Sequence, residues 1–328
     1  MTRPLVSVII PAFNAERTLG EAISSALMQT YAPLEIVVVD DGSTDRTAQI
    51  MAGYGPLIRA VSQPRGGVSA ARNAGIRAAR GAMIALLDAD DVLLPPHVEA
   101  AMRVWARAGG GRRHVAADAS LYGARGIKRR RVLPDRMPRR LEGQRRRIME
   151  HNIVAMFHVY PRAMWSEIGG YDESMRAVED WDFAARAVYS GWEVVRQPTP
   201  YALYRRGPGT LSTDGAAMSV GERAFRRHIL EAFGACMSAE ERLQAEVPLR
   251  RGTWSEHVAA GEAALARAEG ARAADAFAAA AAMAPHDPRL RRKALALRVP
   301  GVWRAYAARQ ARRAEGRLLP EPSAPPAS

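Results

Sequence analysis

The chain contains little cysteine and no long apolar run. Cys236 is the single cysteine in 328 residues, which excludes an internal disulfide framework and fits a reducing compartment. No stretch approaches the roughly 18 apolar residues that a membrane-spanning helix needs, and no signal-peptide pattern is visible near Met1. We therefore expect a cytoplasmic protein with at most peripheral contact at the inner face of a membrane.

Lysine is also scarce, although the chain is basic. The formal net charge is +13, and 45 of the 47 basic residues are arginines, because only Lys128 and Lys293 are lysines. The basic residues concentrate between residues 112 and 147 and are densest at Lys128–Arg131. This segment is either a solvated charged run or a surface for an anionic acceptor or a membrane. A nucleic-acid partner is disfavoured, because no recognition motif and no interleaved aromatic residues accompany the charges.

Three carboxylates follow a short apolar run. Asp88, Asp90 and Asp91 come directly after Met83–Leu87. This pattern predicts a buried parallel strand that ends at the open edge where α/β sheets bind their ligands. Crowded carboxylates repel each other unless a cation or hydrogen-bond donors offset the charge. A hard divalent ion that also binds a substrate phosphate is the usual partner, and a solvated acidic turn is the alternative.

Two further apolar runs precede polar residues in the same way. Val6–Pro11 leads to Asn14, and Leu34–Val39 leads to Asp40 and Asp41. Segments with helical periodicity separate the runs, so strand and helix alternate with short connections. This order predicts a mostly parallel sheet with right-handed crossovers and flanking helices. The predicted helices cover residues 16–29, 44–51, 68–79 and 96–107.

The order and spacing of these motifs resemble the family 2 glycosyltransferases with the GT-A fold. The resemblance rests on Val6–Asn14, Val38–Asp45, Gly67–Gly75, Leu87–Asp91, Gly169–Glu173 and Glu179–Arg186. It covers roughly residues 5 to 212. It implies an inverting, metal-dependent glycosyltransferase of cell-envelope polysaccharide biosynthesis. Such an enzyme moves a sugar from a nucleotide-diphosphate sugar, in this case UDP-linked, to a glycan, a lipid or another hydroxyl acceptor.

The resemblance also implies roles for single residues. Asp90 is the expected ligand of Mn²⁺ or Mg²⁺, and Asp88 is expected at the metal or the ribose. Asp180 is the expected catalytic base, with Glu179 beside it. Arg72 is expected at the nucleotide base or the diphosphate, unless it is a helix-surface arginine. The expected nucleotide-binding residues are Pro11, Asn14, Asp40, Asp41, Arg72 and Asp88.

Some of these residues have a structural alternative. Asp41 could serve turn chemistry, and the pair Glu179–Asp180 could merely cap a helix favourably against its dipole. One loop also departs from the family pattern, which often has a histidine where this chain has Gly207. Whether that loop contacts a metal or a phosphate is therefore undecided from the sequence, and Arg205 or Arg206 could supply the positive charge instead.

After Ser212 the sequence becomes rich in alanine with helical periodicity. The spacing of Gly261, Ala273, Phe277, Ala280 and Pro285 resembles one tetratricopeptide-like repeat. We expect a GT-A domain over residues 1–212, a helical extension over 213–317 and a disordered tail over 318–328. A single repeat cannot bury its face alone, so the extension packs on neighbouring helices or docks a protein partner.

Two other functions stay open at this point. A nucleotidyltransferase could use a similar sheet, but the chain lacks a glycine-rich phosphate loop with a lysine after its first strand. A non-catalytic binding or scaffold protein could carry a decayed transferase domain. The presence of Asp88, Asp90 and Asp180 argues against decay.

Overall fold

The computed structural model describes residues 3–123, 126–130, 132–133, 137–154, 157–205, 214–283, 288–299, 301–305 and 308. The chain separates into two compact units, Met1–Val247 and Pro248–Ser328. The first unit therefore takes in residues up to 247, while the domain boundary at residue 212 stays a prediction. Arg131, Arg206, Gly207 and the predicted tail over 318–328 lie outside the described residues.

The first unit contains a mostly parallel sheet, as the sequence predicts. Its strands are β1 (Val6–Ala12), β2 (Leu34–Asp40), β3 (Arg59–Ser62), β4 (Met83–Leu86), β6 (Arg113–Ala117), β9 (His158–Pro161) and β10 (Glu193–Gln197). The strand order is β10-β6-β9-β4-β1-β2-β3. Only β9 runs antiparallel to its neighbours in this sheet. The three predicted strands are β1, β2 and β4, whose side chains are almost all buried because helices cover both faces.

A smaller sheet is formed by short strands that follow β4, β6 and β10 in the chain. It consists of β5 (Val92–Leu93), β7 (Ser120–Gly123), β8 (Gly126–Arg130) and β11 (Ala202–Arg205), in the order β5-β11-β7-β8. In the antiparallel pair of β5 and β11, Leu203 lies opposite Val92. This pairing brings Arg205 close to the carboxylates that follow β4.

Nine helices of the described chain begin in the first unit. They are α1 (Leu19–Leu27), α2 (Thr47–Gly53), α3 (Val68–Ala78), α4 (His97–Arg107), α5 (Leu141–Glu150), α6 (Arg162–Glu167), α7 (Glu179–Tyr189), α8 (Gly215–Phe233) and α9 (Ala239–Arg251). The helices predicted from the sequence correspond to α1–α4. Gly75 lets α3 approach the sheet, since a Cβ there would lie 2.6 Å from Ile9 Cγ2.

The second unit is helical, as expected for the C-terminal extension. It contains α10 (Trp254–Ala266), α11 (Gly270–Met283) and α12 (Pro288–Leu297). A Cβ on Gly261 would lie 2.8 Å from the ring of Phe277, so a glycine is needed where these two helices meet. The tetratricopeptide-like repeat itself stays a prediction. No helix among the described residues is long and apolar enough to cross a membrane.

Several arginines of the segment 112–147 are bound within the fold. Arg112 pairs with Glu167 at 2.7 Å, Arg113 with Glu193 at 3.0 Å, Arg146 with Glu240 at 3.1 Å and Arg147 with Glu150 at 2.6 Å. The first three pairs join the β6 and α5 regions to neighbouring segments, whereas the pair of Arg147 and Glu150 lies within α5. The side chains of Lys128–Arg131, the densest stretch, lie outside the described residues, so its predicted binding surface stays a prediction.

Asp118, which follows β6, fixes the return of the chain after β8. Its Oδ1 accepts the backbone N–H of Ala119, Val132 and Leu133 at 2.8–3.1 Å. Its Oδ2 accepts a bond from Arg196 at 2.7 Å. The Asp118 side chain is 0% exposed, so these bonds replace all of its hydration.

Removing this carboxylate should destabilise the protein strongly. We expect Asp118→Ala to lower the free energy of unfolding by about 3–5 kcal/mol, since it removes one carboxylate that accepts bonds from three backbone N–H groups and from the largely buried Arg196. A urea titration followed by tryptophan fluorescence measures the change. The matched control is Glu240→Ala, which removes an exposed ion pair and should leave the midpoint within error. Equal midpoints for Asp118→Ala and the wild type would contradict the structural role.

Candidate active site

The strand register gathers the predicted polar residues at one edge of the sheet. Ala12 of β1 lies opposite Asp40 of β2, and Ile9 lies opposite Leu86 of β4. The residues that follow these three strands therefore leave the sheet at the same edge. This edge is the one where open α/β sheets bind ligands.

The loops after β1 and β2 are bonded to each other. Asn14 has a left-handed backbone with φ of 47°, and its Oδ1 accepts the N–H of Thr44 at 2.9 Å. Its own N–H donates to Ser43 Oγ at 3.0 Å. Asp40 is buried and accepts the N–H of Ser43 at 2.9 Å. Asn14 and Asp40 thus lie together, with Asn14 shaping the loop rather than capping α1.

The carboxylate of Asp41 is bonded to other residues of the fold. Its two carboxylate oxygens accept the N–H groups of Gly66 at 2.7 Å and Gly67 at 2.8 Å, and the side chain of Gln63 at 2.8 Å. It is 3% exposed. This geometry agrees with the turn-chemistry alternative, because the carboxylate holds the loop before α3.

An exposed aromatic ring borders these loops and was missed by the sequence reasoning. Phe13 is 38% exposed, and the guanidinium of Arg65 lies 3.2 Å from its ring centroid. Pro11 is buried within β1, opposite Val39. The predicted contact of Pro11 with a nucleotide is therefore limited to its backbone, and the neighbouring ring offers the larger surface.

The carboxylates after β4 have different environments. The Asp88 side chain is 21% exposed, and burial together with the charge of Asp88 raises the pKa of Asp90 to about 6. Asp91 is 1% exposed, and burial raises its pKa well above the usual range. Its Oδ1 accepts the N–H of Arg205 at 2.7 Å, whereas Oδ2 has no partner among the described residues. Asp91 therefore belongs to the loop framework, and Asp88 and Asp90 to the cleft.

Asp88 and Asp90 fit a divalent ion as a two-carboxylate set. Their mutual repulsion, seen in the raised pKa of Asp90, is the condition that a bound cation relieves. No group of three or more His, Cys, Asp or Glu residues within the described ranges is arranged to hold a metal. Two carboxylates completed by substrate phosphate and water are a common magnesium arrangement.

Arg205 of β11 bonds the loop that contains Asp90 and Asp91. Its Nε donates to the carbonyl oxygen of Asp90 at 2.7 Å, and its Nη2 pairs with Glu21. Its guanidinium also lies 4.8 Å from the ring centroid of Tyr122. Arg205 thus supports the acidic loop. It is not a free positive charge, as considered above for the loop that departs from the family pattern.

Arg72 joins the two halves of the site. Its Nη2 donates to Asp88 at 2.8 Å and its Nη1 to Glu179 at 2.7 Å, with 2% of the residue exposed. Burial by itself lowers the pKa of Arg72, but the charges of Asp88 and Glu179 outweigh it and hold that pKa well above its usual value. Both terminal nitrogens are engaged by carboxylates, and the contact with a nucleotide base or diphosphate stays a prediction.

Asp180 lies in the first turn of α7 and faces the cleft half-buried. Its Oδ1 accepts the N–H of Trp181 at 2.8 Å, and its Oδ2 accepts the side chain of Asn152 at 2.9 Å. Burial, followed by the charge of Glu179, raises the pKa of Asp180 to about 7. The preceding Val178 has a φ of 68°, a strained conformation for a β-branched residue. A carboxylate with this pKa can accept a proton at neutral pH.

Asn73 ties α3 to the loop that contains Tyr171 and Glu173. Its Nδ2 donates to the carbonyl of Tyr171 at 2.8 Å and to Glu173 at 2.9 Å, and its Oδ1 accepts bonds from Tyr171 and Trp165 at 2.9 Å. An open cavity of about 760 Å³ lies beside this loop and does not include Asp88, Asp90 or Asp180 in its lining. This cavity and the edge that carries Asp88 and Asp90 are therefore different places.

Known proteins resemble this chain in sequence and in fold. The model of glycosyl transferase family 2 matches residues 7–169. The succinoglycan biosynthesis protein ExoO of Rhizobium meliloti (strain 1021) is 30% identical over 253 residues, 71% of this chain and 72% of that protein. The uncharacterized glycosyltransferase RP339 of Rickettsia prowazekii (strain Madrid E) is 31% identical over 199 residues, 58% of this chain and 63% of that protein. The chain thus spans less than two thirds of some relatives.

The fold agrees with a solved structure. S. aureus TarS 1–349 in complex with UDP-GlcNAc has a TM-score of 0.59 and 18% identity, covering 95% of this chain and 92% of that chain. This likeness confirms the predicted GT-A fold with its helical C-terminal region. Together with the family match and the identity to ExoO, it leads to one assignment. The chain belongs to glycosyl transferase family 2.

Proposed function

We propose that this protein is an inverting, metal-dependent glycosyltransferase that uses a nucleotide-diphosphate sugar, in the first place a UDP-sugar. The observation that carries the proposal is Arg72, which joins the carboxylate of the donor-side motif, Asp88, to that of the acceptor-side motif, Glu179. TarS was solved with UDP-GlcNAc, and ExoO is named for succinoglycan biosynthesis. These names support a UDP-sugar donor and a polysaccharide product.

The donor side would bind the nucleotide and its diphosphate. Asp90 and Asp88 would hold Mn²⁺ or Mg²⁺, and the bound ion would offset the charge that develops on the leaving diphosphate. Phe13 offers a ring for the nucleotide base, and Asp40 lies at the same edge for the ribose. The Asp91 contact with Arg205 holds the acidic loop in place for this task.

The acceptor side would supply the base. Asp180 would take the proton of the acceptor hydroxyl as the acceptor oxygen bonds to the anomeric carbon. The bond from that carbon to the diphosphate oxygen breaks in the same step, and a single displacement of this kind inverts the anomeric centre. Glu179 would keep Arg72 in place beside the base through their ion pair.

The acceptor and the partners follow from the sequence. We infer a glycan or lipid-linked acceptor, which the arginine-rich segment 112–147 would suit if the acceptor is anionic. Peripheral contact with the inner face of the membrane, and a protein partner at the C-terminal helices, stay predictions.

The metal assignment can be tested without measuring transfer. We expect Mn²⁺ with UDP to raise the melting temperature of the wild type and to have no such effect on Asp90→Asn. The metal-free variant should be no less stable than the wild type at pH 8, because the raised pKa of Asp90 shows that its charge opposes folding. Transfer from UDP-GlcNAc should collapse in the variant. Full wild-type activity in chelator would contradict the assignment.

The base assignment predicts a pH profile. Since a pKa near 7 means that Asp180 is ionised above that pH, kcat/KM should rise with pH and be about tenfold lower at pH 6 than at pH 8. Asp180→Asn should lower kcat by roughly a hundredfold or more and abolish this rise. Donor affinity, measured by calorimetry with UDP and Mn²⁺, should stay near the wild-type value. Lost donor affinity with unchanged kcat would place Asp180 in the donor site.

The arginine bridge predicts that charge alone is insufficient. Arg72→Lys keeps the charge but cannot bond Asp88 and Glu179 with a planar fork, so kcat should fall about a hundredfold through misplacement of the groups. Arg77→Lys is the matched control in the same helix, because its side chain is 58% exposed, and it should leave turnover unchanged. Equal turnover of Arg72→Lys and the wild type would exclude the bridge as a requirement.

A further inference from the structure

Asn152 contacts the proposed base from outside the motifs that the sequence singles out. It follows α5, in a turn whose next residues, Ile153 and Val154, are 0% and 1% exposed. Its side-chain Nδ2 donates to Asp180 Oδ2 at 2.9 Å. The turn is anchored in the core, so the amide group approaches Asp180 from a fixed backbone.

The orientation of the amide is determined by its other contact. Asn152 Oδ1 accepts the backbone N–H of Val154 at 3.0 Å. A backbone N–H can only donate, so the side-chain oxygen must face Val154 and the NH₂ group must face Asp180. The amide therefore presents a donor, and not an acceptor, to the carboxylate.

The opposite edge of the carboxylate is fixed as well. Asp180 Oδ1 accepts the N–H of Trp181, whose indole donates to the carbonyl of Ile148 at 2.6 Å and stacks on Phe225 with the ring centroids 4.7 Å apart. Each oxygen of Asp180 thus accepts one hydrogen bond from a described residue. A carboxylate oxygen has a second lone pair, so Oδ2 can still receive a proton.

We propose that Asn152 is the positioning residue of the catalytic base: it orients Asp180 Oδ2 toward the acceptor hydroxyl and stabilises the ionised carboxylate. This inference rests on the proposed function, in which Asp180 takes the proton. A hydrogen bond to the charged form favours that form. The Asn152 contact therefore favours the ionised form of Asp180 and acts against the effect of burial.

The charges around Asp180 explain why a neutral donor is suited to this position. Glu179 on α7 and Asp88 after β4 oppose ionisation of Asp180, and Arg72 on α3 favours it. Arg72 is already bound to the other two carboxylates. A second cation beside Asp180 would depress its basicity, whereas an amide orients it and leaves it able to accept a proton.

The test uses two substitutions that keep the turn and remove the donor. In Asn152→Ser and Asn152→Asp, a side-chain oxygen can still accept the N–H of Val154, but neither side chain presents the amide N–H to Asp180. We expect the pKa of Asp180, followed by the ¹³Cγ resonance that disappears in Asp180→Asn, to rise by at least half a unit in Asn152→Ser. It should rise further in Asn152→Asp, which adds a like charge. Ile153→Val, which removes one methyl group from the same turn, should leave this pKa unchanged.

Kinetics with UDP-GlcNAc and Mn²⁺, with water in place of the acceptor, provide the second readout. We expect the acidic limb of kcat/KM to move with the pKa of Asp180, and kcat to fall about tenfold with little change in donor KM. An unchanged resonance titration in both Asn152 variants would overturn the inference, as would a shifted titration with an unmoved acidic limb. Full turnover in Asp180→Asn, or none in the wild type, would instead count against the proposed function and leave the contact to be decided by the titration.

Discussion

The site depends on one buried cation between two carboxylates. Arg72 holds Asp88 at one side and Glu179 at the other, and it is 2% exposed. One positive charge cannot neutralise all the carboxylates that the strand ends and α7 bring to this edge. Burial, and after it the charge of a neighbouring carboxylate, raises the pKa of Asp90 to about 6 and that of Asp180 to about 7. In the proposed function, Asp90 would bind a cation and Asp180 would accept a proton.

Much of the fold could be predicted because some strands are buried on both faces. β1, β2 and β4 are continuous apolar runs, and each is followed by polar residues. β6 and β9 gave no such signal, since His114 and His158 interrupt them and contact each other only in the folded protein. The strands of the smaller sheet span two to five residues, too short for a period to be read. Tertiary pairing, and not local pattern, determines these elements.

The sequence could predict several residues that come together at the candidate site, but not what each of them contacts there. Sequence reasoning brought Asp40, Asp88 and Asp90 to one edge, and the register places the strands that precede them there. Asp180 comes from α7, where its neighbour Glu179 shares Arg72 with Asp88. It missed Asn152, because an amide in a turn has no local signal and its partner is 28 residues away. The same limit applies to Asp118, whose bonds reach residues 132, 133 and 196.

Three pairs of adjacent acidic residues, here called the acidic doublets, have a similar arrangement: Asp40 and Asp41, Asp90 and Asp91, and Glu179 and Asp180. In each, one carboxylate bonds a distant segment of the fold: Asp41 holds the loop before α3, Asp91 bonds β11, and Glu179 bonds Arg72. Of their neighbours, Asp40 accepts a bond from its own turn, and Asp180 accepts bonds from Trp181 and Asn152. A lone carboxylate on a loop would spend conformational entropy whenever it met its ligand. The anchored neighbour removes that freedom during folding, through hydrogen bonds that also offset its own burial. In the proposed function, a doublet at this edge would therefore supply one carboxylate to the ligand and one support for it, which is why adjacent acids of the same type cannot be assigned the same role from sequence.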